Sequence, residues 1–262
     1  MIIASKYNFA FVHIPKNGGS SIRDQLAGYD ELNHRFFGVG THPVLGRYYP
    51  SHVPMQQLAS IFPDDYALLK EQESFAIYRD PRDRFFSSFA QRCREHLKAF
   101  PQELTDRQIN DDFDTIIDHL ETNSDFPGFE FAHFARQSDF IFNGDERVVD
   151  HIYDLNDLPD LIAQISRKLG RSLISGQHSN KTITFRNQRH KAIMMRVKDV
   201  AKAQLPLRAY NVAKDFGISI FAHRGASNVS DLAAKRPDVE AFIKRYYQGD
   251  AGLVHLLNRP AS

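Results

Sequence analysis

Phe9-Ala10-Phe11-Val12-His13-Ile14-Pro15-Lys16-Asn17-Gly18-Gly19-Ser20-Ser21-Ile22 decides how the chain is read. The first six residues are apolar or β-favouring and predict a strand. Pro15 and the Gly18-Gly19 pair stop it, and a helical pattern starts at Ser20 with Ile22 and Leu26 on one face.

The same strand-then-helix order recurs downstream. Residues 33–54, rich in Gly, His, Pro and Tyr, predict a loop with short strands, and a short helix follows near 56–61. Ser74-Phe75-Ala76-Ile77-Tyr78-Arg79 predicts a second strand. Asp80 then caps a helix opened by Pro81, where a missing N–H costs nothing. Phe85, Phe89, Cys93 and Leu97, with Phe86 beside them, form one apolar face of that helix. Helices are expected near 106–121 and 129–138, a third strand over 148–153, and a helix over 157–169 that ends at Gly170. Beyond it the pattern supports helices near 190–204 and 237–247. Alternating strands and helices imply an α/β protein with a parallel sheet, whose ligands bind at the C-terminal ends of the strands.

Composition bounds the rest. The chain has 262 residues, 42% of them apolar, and a net charge of +1, with 21 Phe and no Trp. That suits a folded protein with a sizeable core and argues against a nucleic-acid coat. The single cysteine, Cys93, excludes an intrachain disulfide and a zinc site built on cysteines. No run approaches a membrane span, and the N-terminal residues have no basic-then-apolar signal pattern, so a cytoplasmic location is expected.

Two constellations carry chemistry. In the first, Gly18 and Gly19 let the backbone turn and approach a ligand, and the following helix start offers unpaired amides. Lys16 adds a full charge, and Ser20 and Ser21 add hydroxyls, which together suit a phosphate or sulfate group. The lysine precedes the glycines, whereas a Walker A loop places it after them, so an ATPase or GTPase is disfavoured. An ordinary strand-to-helix turn is the bland alternative. In the second constellation, Arg79 sits at a strand tip with Ser87 two helical turns on; a guanidinium and a hydroxyl can hold a phosphate. A capped helix with surface arginines is the alternative there.

Taken together, the two segments resemble the sulfotransferases that use 3′-phosphoadenosine-5′-phosphosulfate, and within them the carbohydrate enzymes of heparan and chondroitin type and their bacterial relatives. Pro15 to Ser21 matches the family's Pro-Lys-x-Gly-x-(Ser/Thr)-Ser loop, with Asn17 where Thr or Cys is usual. Arg79-Asp80-Pro81 followed by Ser87 matches its 3′-phosphate motif. His133 and Gln137, in Phe131-Ala132-His133-Phe134-Ala135-Arg136-Gln137, resemble a His-x-x-x-Gln segment near the acceptor. The resemblance implies a P-loop-like three-layer α/β/α fold around a central parallel sheet. It implies one domain over 1–262, with a cofactor core over about 9–170, an insertion over about 175–235 and a C-terminal helix over about 236–255. Asn17, Gly18, Gly19, Ser20, Ser21, Arg79 and Ser87 would then bind the donor, with Lys16 stabilising the leaving phosphate. His133 and Gln137 would meet the acceptor, and no metal is required.

A general base should titrate near the working pH, so histidine is the natural candidate. His52, in Tyr49-Pro50-Ser51-His52-Val53-Pro54, resembles the His-Val segment carrying the catalytic histidine of uronyl 2-O-sulfotransferases; His42 is second choice. His13, inside the strand, suits packing. Tyr48, Tyr49, His133 and Arg136 are further candidates for contact with a glycan acceptor. A small-molecule, lipid or tyrosine acceptor, or a nucleotide-binding module without turnover, stays open.

The span after Gly170 is longer than the family's. Either 178–182 or 223–228 would close over the cofactor. Charge is segregated as well: residues 101–160 hold 16 acids and 3 bases, whereas 181–224 hold 10 bases and 2 acids. That basic run would face the cofactor or an acidic glycan, or else form a solvated face.

Overall fold

The structure, a computed structural model, describes residues 1–123, 125–173, 183–185, 222–224 and 227–257. Its centre is a four-stranded sheet of β1 (Ile2–Ala4), β2 (Phe9–Val12), β5 (Ser74–Tyr78) and β8 (His151–Asp154), in the order β1-β2-β5-β8. β2, β5 and β8 run parallel, in register Val12 to Ala76 and Ala76 to Ile152. The sheet is mixed, however, because β1 pairs antiparallel with β2. This edge strand is too short to show a period in sequence. The third strand is also shorter than expected: Val148 and Val149 are buried ahead of it, and pairing begins at His151.

β2 and β5 are buried at every position, so both sheet faces are covered. Phe9, Phe11, Phe75 and Ile77 point to one face, against Ile22 and Leu26 of α1 (Ser20–Leu26) and Leu161 and Ile165 of α7 (Leu158–Leu169). Gly170, at φ 62°, ends α7 in the left-handed conformation that favours glycine. Ala10, Val12, Ala76 and Tyr78 point to the other face. There they meet Met55 and Leu58 of α2 (Met55–Ile61), Leu69 of α3 (Pro63–Lys70) and the 135–149 segment. The result is a three-layer α/β/α arrangement. α3 escapes the sequence pattern because it buries only Asp65 and Leu69. The loop over 33–54 carries the hairpin β3 (Gly40–His42) and β4 (Gly46–Tyr48), and β6 (Phe142–Asn143) and β7 (Glu146–Arg147) form another.

A separate helical core absorbs much of the phenylalanine. α4 (Pro81–Glu95) is capped by Asp80, whose side chain accepts from Asp83 N–H at 3.0 Å. It lays Phe85, Phe89 and Cys93 against Ile109, Phe113 and Ile116 of α5 (Asp106–Thr122). Leu97 does not join that face, because α4 ends at Glu95 and leaves it exposed. The helix expected over 129–138 is instead α6 (Gly128–Phe131) followed by two 3-10 turns, at Ala132–Phe134 and Ser138–Phe140. α8 (Ser227–Ala234), α9 (Pro237–Tyr246) and α10 (Gln248–Gly252) complete the helices, with Val229, Phe242 and Tyr247 closing the α4–α5 core. β9 (Ile183–Phe185) pairs antiparallel with β10 (Ala222–Arg224). The helix expected near 190–204, the 178–182 segment and most of the basic run lie outside the described residues.

Candidate functional site

The two constellations meet where β2 and β5 end. After β2 the chain turns through Pro15–Gly19 onto α1, with Lys16 at φ 67° and Gly18 at φ 76°. A left-handed lysine costs about 1–2 kcal/mol, so its surroundings must hold it there. Asn17 does so: it is buried, and its Nδ2 donates to the Ile77 carbonyl at 2.5 Å and to Gln137 Oε1 at 2.6 Å. Arg79 Nη1 also donates to the Lys16 carbonyl at 3.1 Å. The glycines are required by close approach as well. A Cβ on Gly18 would lie 2.7 Å from Leu155 Cδ1, and one on Gly19 would lie 2.8 Å from His13 Cδ2.

Gln137 is the hub of this junction. Its Oε1 also accepts from Arg79 N–H at 3.0 Å, and its Nε2 donates to the Arg79 carbonyl at 2.9 Å. It is fully buried, so its side chain clamps the loop to the strand tip and is not presented to an acceptor. Its backbone N–H and that of Ser138 donate to the buried Asp250 carboxylate at 2.9 and 2.8 Å.

Beneath the loop lies Arg84, fully buried although its sequence neighbours suggested the surface. Its guanidinium donates to the carbonyls of Ala135 at 2.6 Å, His133 at 3.1 Å and Pro15 at 3.5 Å, and lies 3.8 Å from Asp250. It thus ties the loop to the 133–135 segment. Arg84, Ser88 and Arg92 recur every four residues on the buried side of α4, a period visible in the sequence. Asp250 gave no sequence signal, because its partners come from residues more than a hundred positions away.

Cations gather on the outer side. Lys16 Nζ donates to Gln91 Oε1 at 3.3 Å, and Arg94 Nη2 donates to the same oxygen at 2.5 Å. Burial, then the charges of Arg94 and Arg79, lower the Lys16 pKa to about 8, with Glu95 opposing them. Burial also lowers the Arg79 pKa. Ser87 lies one turn before Gln91 on the same stripe of α4, so it shares the face turned to Lys16. Ser20 and Ser21 are half-buried at the start of α1.

Beside the lysine lies a cluster of three buried histidines. His13 stacks on His52 at 5.3 Å between ring centroids, and His133 meets His52 edge-on at 5.1 Å. All three are driven well below the usual histidine pKa, chiefly by burial, so they are neutral at pH 7. Nδ1 of His13 and of His52 have no hydrogen-bond partner among the described residues. His133 Nδ1 lies 3.9 Å from Glu95 Oε2, which accepts from the Tyr49 hydroxyl at 3.1 Å. His42 is not part of this cluster. It packs on Phe62 and Tyr48, and its Nδ1 accepts from Val44 N–H at 3.2 Å. Tyr49 joins the cluster, whereas Tyr48 stays with His42 and Arg136 pairs with Asp139 at 3.0 Å.

A sequence profile of the sulfotransferase family matches residues 1–212. The chain belongs to the sulfotransferase family. In this sulfotransferase the match takes in the 15–21 loop, Arg79, Ser87, Gln137 and the histidine cluster, as well as all four strands of the central sheet. Neither curated proteins nor solved structures yield a match to the chain. Among the described residues no helix is long and apolar enough to cross a membrane.

Proposed function

We propose that this member of the sulfotransferase family takes a sulfuryl group from 3′-phosphoadenosine-5′-phosphosulfate and delivers it to a hydroxyl of a carbohydrate. The observation that supports this is the junction itself. The Lys16 loop and the Arg79 strand tip are braced by one buried glutamine, so two cations stand in fixed register at the ends of adjacent parallel strands.

The residues fit such a donor. The charges of Arg94 and Arg79 both act on Lys16, so three cations converge on the loop, a favourable setting for a polyanion. Gly18 and Gly19 keep side chains out of the loop, leaving its backbone open to a phosphate. In this reading Arg79 and Ser87 hold the 3′-phosphate and fix the register. Lys16 and the loop amides stabilise charge on the leaving 5′-phosphate, with Ser20 and Ser21 adding donors. Bound there, the donor supplies the activated sulfuryl group. His52, kept neutral by burial and with an unpartnered ring nitrogen, takes the acceptor's proton, as a weaker base than a free histidine until donor and acceptor change its surroundings. One observation favours a second base: the Glu95 carboxylate near His133 would stabilise the imidazolium formed by proton uptake.

Calorimetry with adenosine 3′,5′-bisphosphate and a transfer assay test the proposal together. Lys16→Ala and Arg79→Ala should abolish donor-dependent sulfation; near-normal transfer by both ends it. His52→Ala should lose at least about a hundredfold in turnover while binding the bisphosphate normally. If His133→Ala shows that pattern instead, the base is His133. Tight bisphosphate binding with no sulfation of any sugar, phenol or lipid hydroxyl would leave only a nucleotide-binding module.

A further inference from the structure

An open pocket of about 460 Å³ borders the 136–139 segment, and none of the proposed donor-site residues lines it. Pro54, two residues past His52, forms part of its wall, and Arg136, Ser138 and Asp139 continue the segment that carries His133. The pocket therefore borders the two chain segments that carry His52 and His133. Its volume suits one or two sugar rings.

The lining indicates the ligand's chemistry. Planar polar groups, Gln56, Gln57, Arg136 and Asp139, stand with the aromatic rings of Tyr246 and Phe142. The charges are already matched: Arg136 pairs with Asp139 at 3.0 Å and lies 3.8 Å from Asp125, while Arg245 pairs with Glu121. No cation is left uncompensated to attract a sulfate or a carboxylate. Two polar atoms are nevertheless orphaned, since the Tyr246 hydroxyl and Gln57 Oε1 are buried without a hydrogen-bond partner among the described residues. Burial raises the Tyr246 pKa, so its hydroxyl remains a neutral donor. Orphan groups of this kind are costly, and a small side-chain rotation that brings them to the pocket surface would let a ligand hydroxyl, which both donates and accepts, satisfy them.

We propose that this pocket binds a neutral sugar unit, and that it serves as a subsite for the acceptor glycan next to the residue being sulfated. The binding stands on the pocket alone; only its role in the reaction rests on the carbohydrate-acceptor reading above.

The test is saturation-transfer NMR and calorimetry on the full chain without donor. The probes are methyl glycosides of glucose, galactose, N-acetylglucosamine and N-acetylgalactosamine, with methyl glucuronide as the acidic comparison. At least one neutral glycoside should bind in the millimolar range, and more tightly than the glucuronide. Tyr246→Phe, which keeps the ring stacked on Phe242 at 5.2 Å, should weaken binding about fivefold through one lost hydrogen bond. Gln56→Trp, at an exposed position on the wall, should block binding without disturbing the core. Lys16→Ala, which the donor reading expects to lose the bisphosphate, should bind the sugar as the parent does. Absence of binding by every neutral glycoside, preference for the glucuronide, or unchanged binding by Gln56→Trp would each overturn the proposal. Sugar binding by a protein that fails to bind the bisphosphate would uphold the pocket and sink the donor reading.

Discussion

Replacing Gln137 by alanine tests the junction on which the site depends. The substitution removes one acceptor shared by Asn17 Nδ2 and Arg79 N–H, and one donor to the Arg79 carbonyl. Three polar groups then lose a partner in or beside the core. At about 1–3 kcal/mol for each, reduced where water reaches the half-buried Arg79, the loss is about 3–6 kcal/mol. That is a large part of the roughly 5–15 kcal/mol that holds a domain folded. Asn17 would keep only the Ile77 carbonyl, and the left-handed Lys16 would relax. Restoring that conformation on binding should weaken adenosine 3′,5′-bisphosphate about tenfold, the equivalent of about 1.4 kcal/mol of strain. Urea denaturation and calorimetry on Gln137→Ala, Asn17→Ala and the double variant provide the measurement. The cycle should give a coupling of about 1 kcal/mol or more between the two residues. A stability loss below about 1 kcal/mol with unchanged bisphosphate affinity would refute the bracing role.

Further outcomes follow from the same geometry. Arg84→Met should destabilise the fold by about 3–5 kcal/mol, because Asp250 and three carbonyls lose a buried cation; denaturation measures it. Gly18→Ala should weaken bisphosphate binding through its left-handed φ and its clash with Leu155, and adding Leu155→Ala should restore only the part due to the clash. The lowered pKa of Lys16 sets a pH signature. Its pKa, near 8 in the folded chain and 10.5 unfolded, means that folding disfavours the charged form. That penalty is full below pH 8 and fades as pH rises toward 10.5. Lys16→Met should therefore be more stable than the parent at pH 7, with the gap closing by pH 10. A variant less stable at pH 7 would contradict the assignment.

Most of the frame was legible because local patterns coincide with burial. The β2–loop–α1 stretch, the Asp80-capped α4 and the Gly170 stop all lie where the sequence places them. β1 was not legible, since three residues carry no period and its pairing partner lies elsewhere in the chain. The helix expected over 129–138 breaks into short turns because its carbonyls serve distant groups. His133 and Ala135 accept from Arg84, and Phe134 from the Tyr247 hydroxyl at 2.8 Å. Propensity cannot register such partners, which reach across the fold.

The candidate site divides along the same line. Lys16, the glycines, Arg79 and Ser87 could be named from spacing, because a tight turn and a strand tip each require particular residues nearby in the chain. The sequence by itself thus determined the strand-loop-helix units and which residues carry charge to the strand ends. Only the tertiary structure decided that His52 and not His42 joins His13 and His133, that Gln137 is a brace, and that Arg84 is a buried tie. The physical reason is the range of the forces. Backbone conformation and capping act within a few residues, whereas burial, ion pairing and the pKa of Lys16 depend on groups that only folding brings together.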